Sequence, residues 1–308
     1  MEKLIINAAI TGMVLTQKDN PHLPCTIKEI IEEVKCCRNA GASIVHVHAR
    51  DENQRPAYQR EIYRELFLGI RAECPDMIIS GSASGRICPE LEKRCEVFDP
   101  GGNVRPDMGS LTLGSLNFPR QASVNEPQVI QGLANRMNEL GIVPEWEIFD
   151  FGMVDYAKFL IQRGILKKPF YCNILLGSLG TLAATPQNLA QIVQALPEGT
   201  TWSAAGIGRF QFQTNCLAVA MGGHIRVGLE DNLWYDSQRT KLATNASLIE
   251  RMVRVAGCME RDIATPDEAR EIIGLPSRKL SSPKTMRIVE INSKESASAC
   301  DGCSRSLS

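Results

Sequence analysis

Short apolar runs rich in β-branched residues alternate along the chain with longer segments in which apolar residues recur at helical spacing. Such runs are typical of strands buried on both faces, as in a parallel sheet whose crossovers are helices. Eight runs fit this description. We predict strands at Leu4–Ala9, Ser43–His48, Met77–Ser82, Gly109–Leu113, Glu145–Phe149, Phe170–Leu176, Thr201–Ala205 and His224–Gly228.

Three helix starts can be read directly from the sequence. Thr26–Glu29 is a capping box, in which the Thr hydroxyl and the Glu carboxylate each accept from a backbone N–H that the first turn leaves unpaired. Thr185–Pro186 and Thr265–Glu268 each place a Thr cap before a proline, which is tolerated at the first helical position. These signals indicate helices directly after positions 26, 185 and 265.

Eight strand–helix units in about 275 residues favour a (β/α)8 TIM barrel, an α/β fold, over a doubly wound sheet. No G-x-G-x-x-G follows the first strand, which argues further against a dinucleotide-binding fold. We predict one catalytic barrel over residues 1–280. Residues 281–308 are rich in Ser, Lys and Glu, and we expect a disordered tail because they can bury little apolar surface.

Composition narrows the class of protein. The chain is 44% hydrophobic and 22% charged, and 34 basic residues against 35 acidic ones give a net charge of -1. This balance, without a basic stripe, argues against a nucleic-acid partner. No apolar stretch reaches the roughly 18 residues of a membrane span, and Met1–Asn7 is too short and polar for a signal peptide. We therefore expect a cytoplasmic protein without a membrane partner.

Eleven cysteines are scattered without a repeated spacing. An odd number in a chain without a predicted signal peptide does not indicate a disulfide framework, so we expect reduced, mostly buried thiols. Cys300 and Cys303 form the single C-x-x-C pair, and they lie in the polar tail with no predicted strand before them.

Two of the four histidines, His46 and His48, lie in the second predicted strand. Alternate side chains of a strand share a face, so both imidazoles point the same way. At the carboxyl end of a barrel strand they could hold a divalent metal ion. A hydrogen-bonded pair of core histidines explains the same spacing.

The eighth predicted strand runs directly into Glu230 and Asp231. One of these carboxylates with His46 and His48 would make the three-ligand set of a catalytic zinc site, and the other would be free to act as a base. Arg226, on the same strand four residues before Glu230, would set the charge and orientation of that base. A solvated acidic turn is the alternative interpretation.

Polar residues at other strand ends fit the same site. Residues 80–85 are small and would leave backbone N–H groups open to an anion. Ser110 and Thr112 lie on the fourth predicted strand, and Glu145 and Glu147 on the fifth. A glutamate inside a barrel needs a partner, so we expect Glu147 to face Arg226 or a ligand.

Several blocks of sequence together resemble the β-keto acid cleavage enzymes, and their spacing is nearly intact between about Leu4 and Leu275. These blocks are Ala8–Gly12, Asn20–Pro24, the strand with His46 and His48, Gly206–Arg209 and Gly223–Asn232.

The resemblance implies a zinc-dependent barrel, usually a homotetramer, that converts a β-keto acid and acetyl-CoA into acetoacetate and a new acyl-CoA. It implies that zinc is held by His46, His48 and Glu230. It further assigns Asp231 as the base, Arg226 as its partner and Glu147 nearby. Contacts to the keto acid are implied at Ser82, Gly85 and Ser110, where serine replaces the more usual threonine.

Val14 departs from the family members that cleave an amino-bearing keto acid, which carry an acid at that position. An apolar side chain cannot pair an ammonium group, and leaving a buried charge unpaired costs about 3–5 kcal/mol. Met13 and Val14 therefore indicate a neutral or apolar acyl group. Arg86 could instead receive a second carboxylate, or lie on the surface; the sequence leaves both open.

Three alternatives use the same residues. A barrel aldolase or hydrolase could employ the metal without acetyl-CoA, and a His₂-carboxylate set also suits non-haem iron. A non-catalytic barrel could bind a CoA ester or keto acid as a sensor, in which case Asp231 would be replaceable without effect.

Overall fold

The computed structural model describes residues 1–101, 104–118 and 121–276. Eight parallel strands close into a barrel in chain order, the first pairing with both the second and the last. The predicted barrel is therefore confirmed, and every predicted strand overlaps an observed one. The strands are β1 (Ile6–Ala9), β2 (Ile44–Val47), β3 (Ile78–Gly81), β4 (Met108–Thr112), β5 (Val143–Ile148), β6 (Phe170–Leu176), β7 (Thr200–Gly206) and β8 (His224–Val227).

Helices follow the strands, and the three predicted starts are confirmed, because Thr26, Thr185 and Thr265 each accept a backbone N–H at the head of a helix. A small hairpin, Leu116–Asn117 with Ala122–Ser123, follows β4. The helices are α1 (Ile27–Ala40), α2 (Arg60–Glu73), α3 (Leu91–Arg94), α4 (Pro127–Leu140), α5 (Phe151–Gln162), α6 (Pro186–Ala195), α7 (Gln211–Ala220), α8 (Asn245–Cys258) and α9 (Pro266–Ile273).

The amino end of the barrel is closed by apolar packing. Inward side chains at the strand starts, including Ile44, Ile78 and Met108, form one buried cluster with Ala269 and Ile273 of α9. A second and larger core lies between the strands and the surrounding helices. The plugged amino end leaves the carboxyl end of the strands for a functional site.

The seam between β1 and β8 is unusually close. A Cβ on Gly228 would lie 2.1 Å from the carbonyl oxygen of Ala9, so only glycine fits there. Just beyond it, the backbone N–H of Glu230 donates to the same oxygen at 3.1 Å. The seam therefore holds the chain after β8 against the top of β1 and fixes where Glu230 stands.

The nine cysteines in the described part of the chain are free thiols, and five of them are buried, as predicted. No helix within residues 1–101, 104–118 and 121–276 is long and apolar enough to cross a membrane. The predicted boundary at residue 280 and the tail 281–308, with Cys300 and Cys303, lie outside the described residues.

Candidate active site

His46, His48 and Glu230 meet at the carboxyl end of the barrel, and their candidate ligand atoms all lie within 4.8 Å of one another. The Nε2 atom of His48 is 3.3 Å from Glu230 Oε1, and that of His46 is 3.9 Å from it. Both histidines point inward from β2, as the alternation of a strand requires. Burial lowers the pKa of His48, which favours the neutral ring that metal ligation needs.

Glu145 lies behind His46 and was given no role by the sequence analysis. Its carboxylate is fully buried and is 2.8 Å from His46 Nδ1. It also accepts from the side-chain amides of Asn7 and Asn173, each at 2.6 Å, and from the hydroxyl of Ser80. Burial alone would raise the pKa of Glu145, but His46 and the other donors lower it to about 2. Glu145 therefore fixes which nitrogen of His46 faces the cluster.

Arg226 lies at the centre of three carboxylates. Its Nε donates to Asp231 at 3.0 Å and its Nη2 to Glu230 at 2.7 Å, while its Nη1 is 3.5 Å from Glu147. Thr112 donates to the far oxygen of Glu147 at 2.6 Å. Burial and the neighbouring Glu230 raise the pKa of Asp231 against the opposing effect of Arg226. The predicted pairing of Arg226 with Asp231 and with Glu147 is present in this geometry.

A cavity opens above this cluster at the carboxyl end of the barrel. Charged side chains and apolar side chains both line this cavity, so a ligand in it would contact both kinds. Its lining includes Met13, Val14, His48, Ser82, Ser84, Arg86, Thr112, Phe118, Glu147, Ile207, Arg226, Glu230 and Asp231.

Two arginines hold the loops that line the cavity. Arg50, which the sequence analysis left without a role, donates to the carbonyl oxygens of Gly12 at 2.8 Å and Leu15 at 2.9 Å and so fixes the loop that carries Val14. Arg94 donates to the carbonyl oxygen of Ala83 at 2.7 Å, beneath the loop after β3.

Two residues that were predicted to contact the substrate, Gly85 and Ser110, support a loop of the cavity instead. A Cβ on Gly85 would lie 2.6 Å from Arg94 Nη1, so this glycine allows the loop to pack on that arginine. The Ser110 hydroxyl accepts from the N–H of Ala83 at 2.9 Å. His224, at the start of β8, has a structural role: its Nδ1 accepts the N–H of Ile5, and burial lowers its pKa to about 3. Gly85 and Ser110 thus support the loop, whereas Ser82 and Val14 border the cavity.

A closed parallel barrel with acid, base and candidate ligand groups gathered at its carboxyl end defines a (β/α)8-barrel enzyme. Within that class, residues 3–275 match the model of the β-keto acid cleavage enzyme family, and the chain belongs to that family. The predicted resemblance is thereby confirmed, as is the prediction of a transferase that cleaves a carbon–carbon bond of a β-keto acid.

Relatives with named activities match about nine-tenths of the chain. It is 40% identical over 276 residues to a 3-keto-5-aminohexanoate cleavage enzyme of Fusobacterium nucleatum, covering 89% of this chain and 99% of the relative. It is 34% identical over 281 residues to a 3-oxoadipate:acetyl-CoA acetyltransferase of Cupriavidus necator, covering 90% and 96%. The names of these relatives describe β-keto acid cleavage and, in the second, acetyl-CoA as the second substrate.

Among solved structures, a ternary complex of ObcA with a C4-CoA adduct and oxalate superposes with a TM-score of 0.74 at 21% identity. The match covers 83% of this chain and 68% of that one. At this identity the likeness concerns the fold.

Proposed function

We propose that this enzyme is zinc-dependent and joins a β-keto acid to acetyl-CoA, with acetoacetate and a new acyl-CoA as products. The observation that carries the proposal is that His48, Glu230, Asp231 and Arg226 all line one cavity in a chain of this family. His46, which is fully buried, completes the proposed set of metal ligands with His48 and Glu230.

The residues present fit a zinc ion. His46 Nε2 and Glu230 Oε2 are buried without a hydrogen-bond partner, which is costly unless a ligand satisfies them. Glu145 occupies the other nitrogen of His46, an arrangement that metal-bound histidines commonly show. We assign His46, His48 and Glu230 as the ligands. When bound, zinc would supply Lewis-acid polarisation of the keto and carboxylate oxygens of the substrate.

Asp231 is the residue we assign as the base. Two hydrogen bonds from Arg226 hold its carboxylate at the cavity wall. It would take a proton from C2 of the keto acid, and the C2 carbanion would attack the acetyl carbon and expel the CoA thiolate. The thiolate would then attack the original ketone and break the C2–C3 bond. Asp231 would return its proton to the departing carbanion, which becomes acetoacetate.

Glu147 and Arg226 would stabilise this chemistry by position. Arg226 is the fixed cation beside the carboxylates. Glu147, which accepts a hydrogen bond from Thr112, pairs with Nη1 of Arg226. Of the predicted substrate contacts, we assign Ser82 a direct role, because it borders the cavity, and Gly85 and Ser110 a supporting one.

A mass-spectrometric screen tests the proposal. Zinc-loaded enzyme is incubated with aliphatic, dicarboxylic, amino and quaternary-ammonium β-keto acids, each with and without acetyl-CoA. We expect acetoacetate and one new CoA ester, formed only with acetyl-CoA. The amino and quaternary-ammonium acids should react least, because Val14 offers no charge for a cation. Cleavage that proceeds equally without acetyl-CoA would replace this proposal with the aldolase alternative.

Replacing Glu145 with Gln should weaken zinc binding about 10- to 100-fold, since the neutral amide no longer holds the His46 ring as a carboxylate does. Competition with a chromophoric chelator measures the affinity. Glu139→Gln, at an exposed position, is the matched control. Equal zinc affinity in both folded variants would show that Glu145 does not position the ligand.

The homotetramer implied by the family resemblance and the cytoplasmic location expected from the composition stay predictions. Light scattering coupled to size-exclusion chromatography should give the mass of four chains.

A further inference from the structure

Arg86 lies at the cavity with its guanidinium 3.7 Å from the centre of the Phe118 ring. Phe118 in turn makes an edge contact with Phe149, whose ring centre is 5.9 Å away. The carbonyl oxygen of Arg86 accepts from the side chain of Gln121 at 2.9 Å. The Phe118 ring therefore holds the guanidinium in place, and the hydrogen bond from Gln121 fixes the backbone of Arg86.

No carboxylate of the described residues forms an ion pair with Arg86, and its Nε is buried without a hydrogen-bond partner. Glu230 and Glu147 act on its charge only from beyond ion-pair distance. Arg226, on the same cavity, is by contrast surrounded by three carboxylates. Burial lowers the pKa of Arg86, yet an arginine stays charged at neutral pH. A half-buried unpaired cation is costly, and an anionic ligand group would offset that cost.

We propose, on the basis of the function proposed above, that Arg86 binds a second, distal carboxylate of the β-keto acid, so that the preferred substrates are 3-oxo dicarboxylic acids. A guanidinium matches a carboxylate with two parallel hydrogen bonds. Val14 and Phe118, which border the same cavity, would pack against the methylene groups between the ketone and this carboxylate. A substrate ammonium would instead meet Arg86 as a like charge.

The reaction balances for this class. With 3-oxohexanedioate, the acetyl group of acetyl-CoA forms a bond to C2, and the C2–C3 bond breaks. The C3–C6 portion leaves as the CoA thioester of a four-carbon dicarboxylic acid. The remaining carbons leave as acetoacetate.

The experiment compares 3-oxohexanedioate with 3-oxohexanoate, which has the same six-carbon chain but a methyl group in place of the distal carboxylate. The five- and seven-carbon 3-oxo diacids define the reach. The variant is Arg86→Met, which keeps much of the length and loses the charge. The matched control is Arg163→Met, because Arg163 also stacks over a phenylalanine, Phe159, at 5.2 Å, but at an exposed position away from the cavity.

We expect the wild-type enzyme to prefer one of the diacids over 3-oxohexanoate by about 100-fold in kcat/KM. Arg86→Met should lower that ratio about 100-fold, chiefly through the KM of the diacid, and Arg163→Met should leave it unchanged.

Three results overturn the inference. The inference is wrong if the wild-type enzyme prefers 3-oxohexanoate, or if Arg86→Met leaves the ratio of the two kcat/KM values unchanged. In both cases the proposed function stands. A rise confined to the KM of acetyl-CoA would place a phosphate of that co-substrate on Arg86 instead. Absence of acetyl-CoA-dependent turnover with every keto acid would remove the proposed function itself.

Discussion

Replacing Asp231 with Asn should lower kcat about 10³-fold while the bound zinc stays at the wild-type level. The amide keeps the size of the side chain and can still accept from Arg226, but it cannot take a proton from C2. Arg226 keeps Glu230 and Glu147 as charge partners, so the variant should fold.

Exchange of the C2 protons isolates this role. In D₂O without acetyl-CoA, the wild-type enzyme should catalyse exchange of the C2 protons of a bound keto acid, and Asp231→Asn should not. Proton NMR measures the exchange. Asp155→Asn, at an exposed position on α5, controls for the charge change. Wild-type turnover in Asp231→Asn would refute its assignment as the base and favour the non-catalytic alternative.

Replacing His48 with Ala should abolish stoichiometric zinc binding and reduce turnover by about 10³-fold or more. Three protein ligands are the minimum that catalytic zinc sites use, and this variant leaves two. Removal of zinc from the wild-type enzyme with a chelator should have the same effect, and added zinc should reverse it.

Metal content by plasma mass spectrometry and kcat are the two measurements. His22→Ala is the matched control, because His22 is exposed and lies outside the cluster. Full activity in a zinc-free His48→Ala protein would contradict the metal assignment, and the Asp231–Arg226 pair would then carry the chemistry alone.

Local signals made much of the fold predictable. Strand periodicity and the three threonine caps depend on neighbouring residues, and they placed the elements correctly. The shared face of His46 and His48 also follows from spacing alone. The rule that strand carboxyl ends meet at one edge of a barrel brought either Glu230 or Asp231 to them, and the family resemblance selected Glu230.

The partners of Glu145 could not be predicted in the same way. Glu145 and Glu147 share a face of β5, so both needed partners inside the barrel, but the sequence does not say which. His46 lies 99 positions from Glu145, and the two meet only because of how the intervening strands are staggered. The role of Arg50 was missed for a similar reason, since its partners are backbone oxygens of a loop that no periodic pattern marks.

The close seam between β1 and β8 bears on how this protein is made. His48 and Glu230 are 182 positions apart, and Glu230 reaches its place only when the chain after Gly228 rests on Ala9. A nascent chain on the ribosome therefore lacks the complete set of proposed zinc ligands until the last strand has emerged and docked on the first. Zinc would load only after the last barrel strand is made, and its binding would join the segment after β8 to β2.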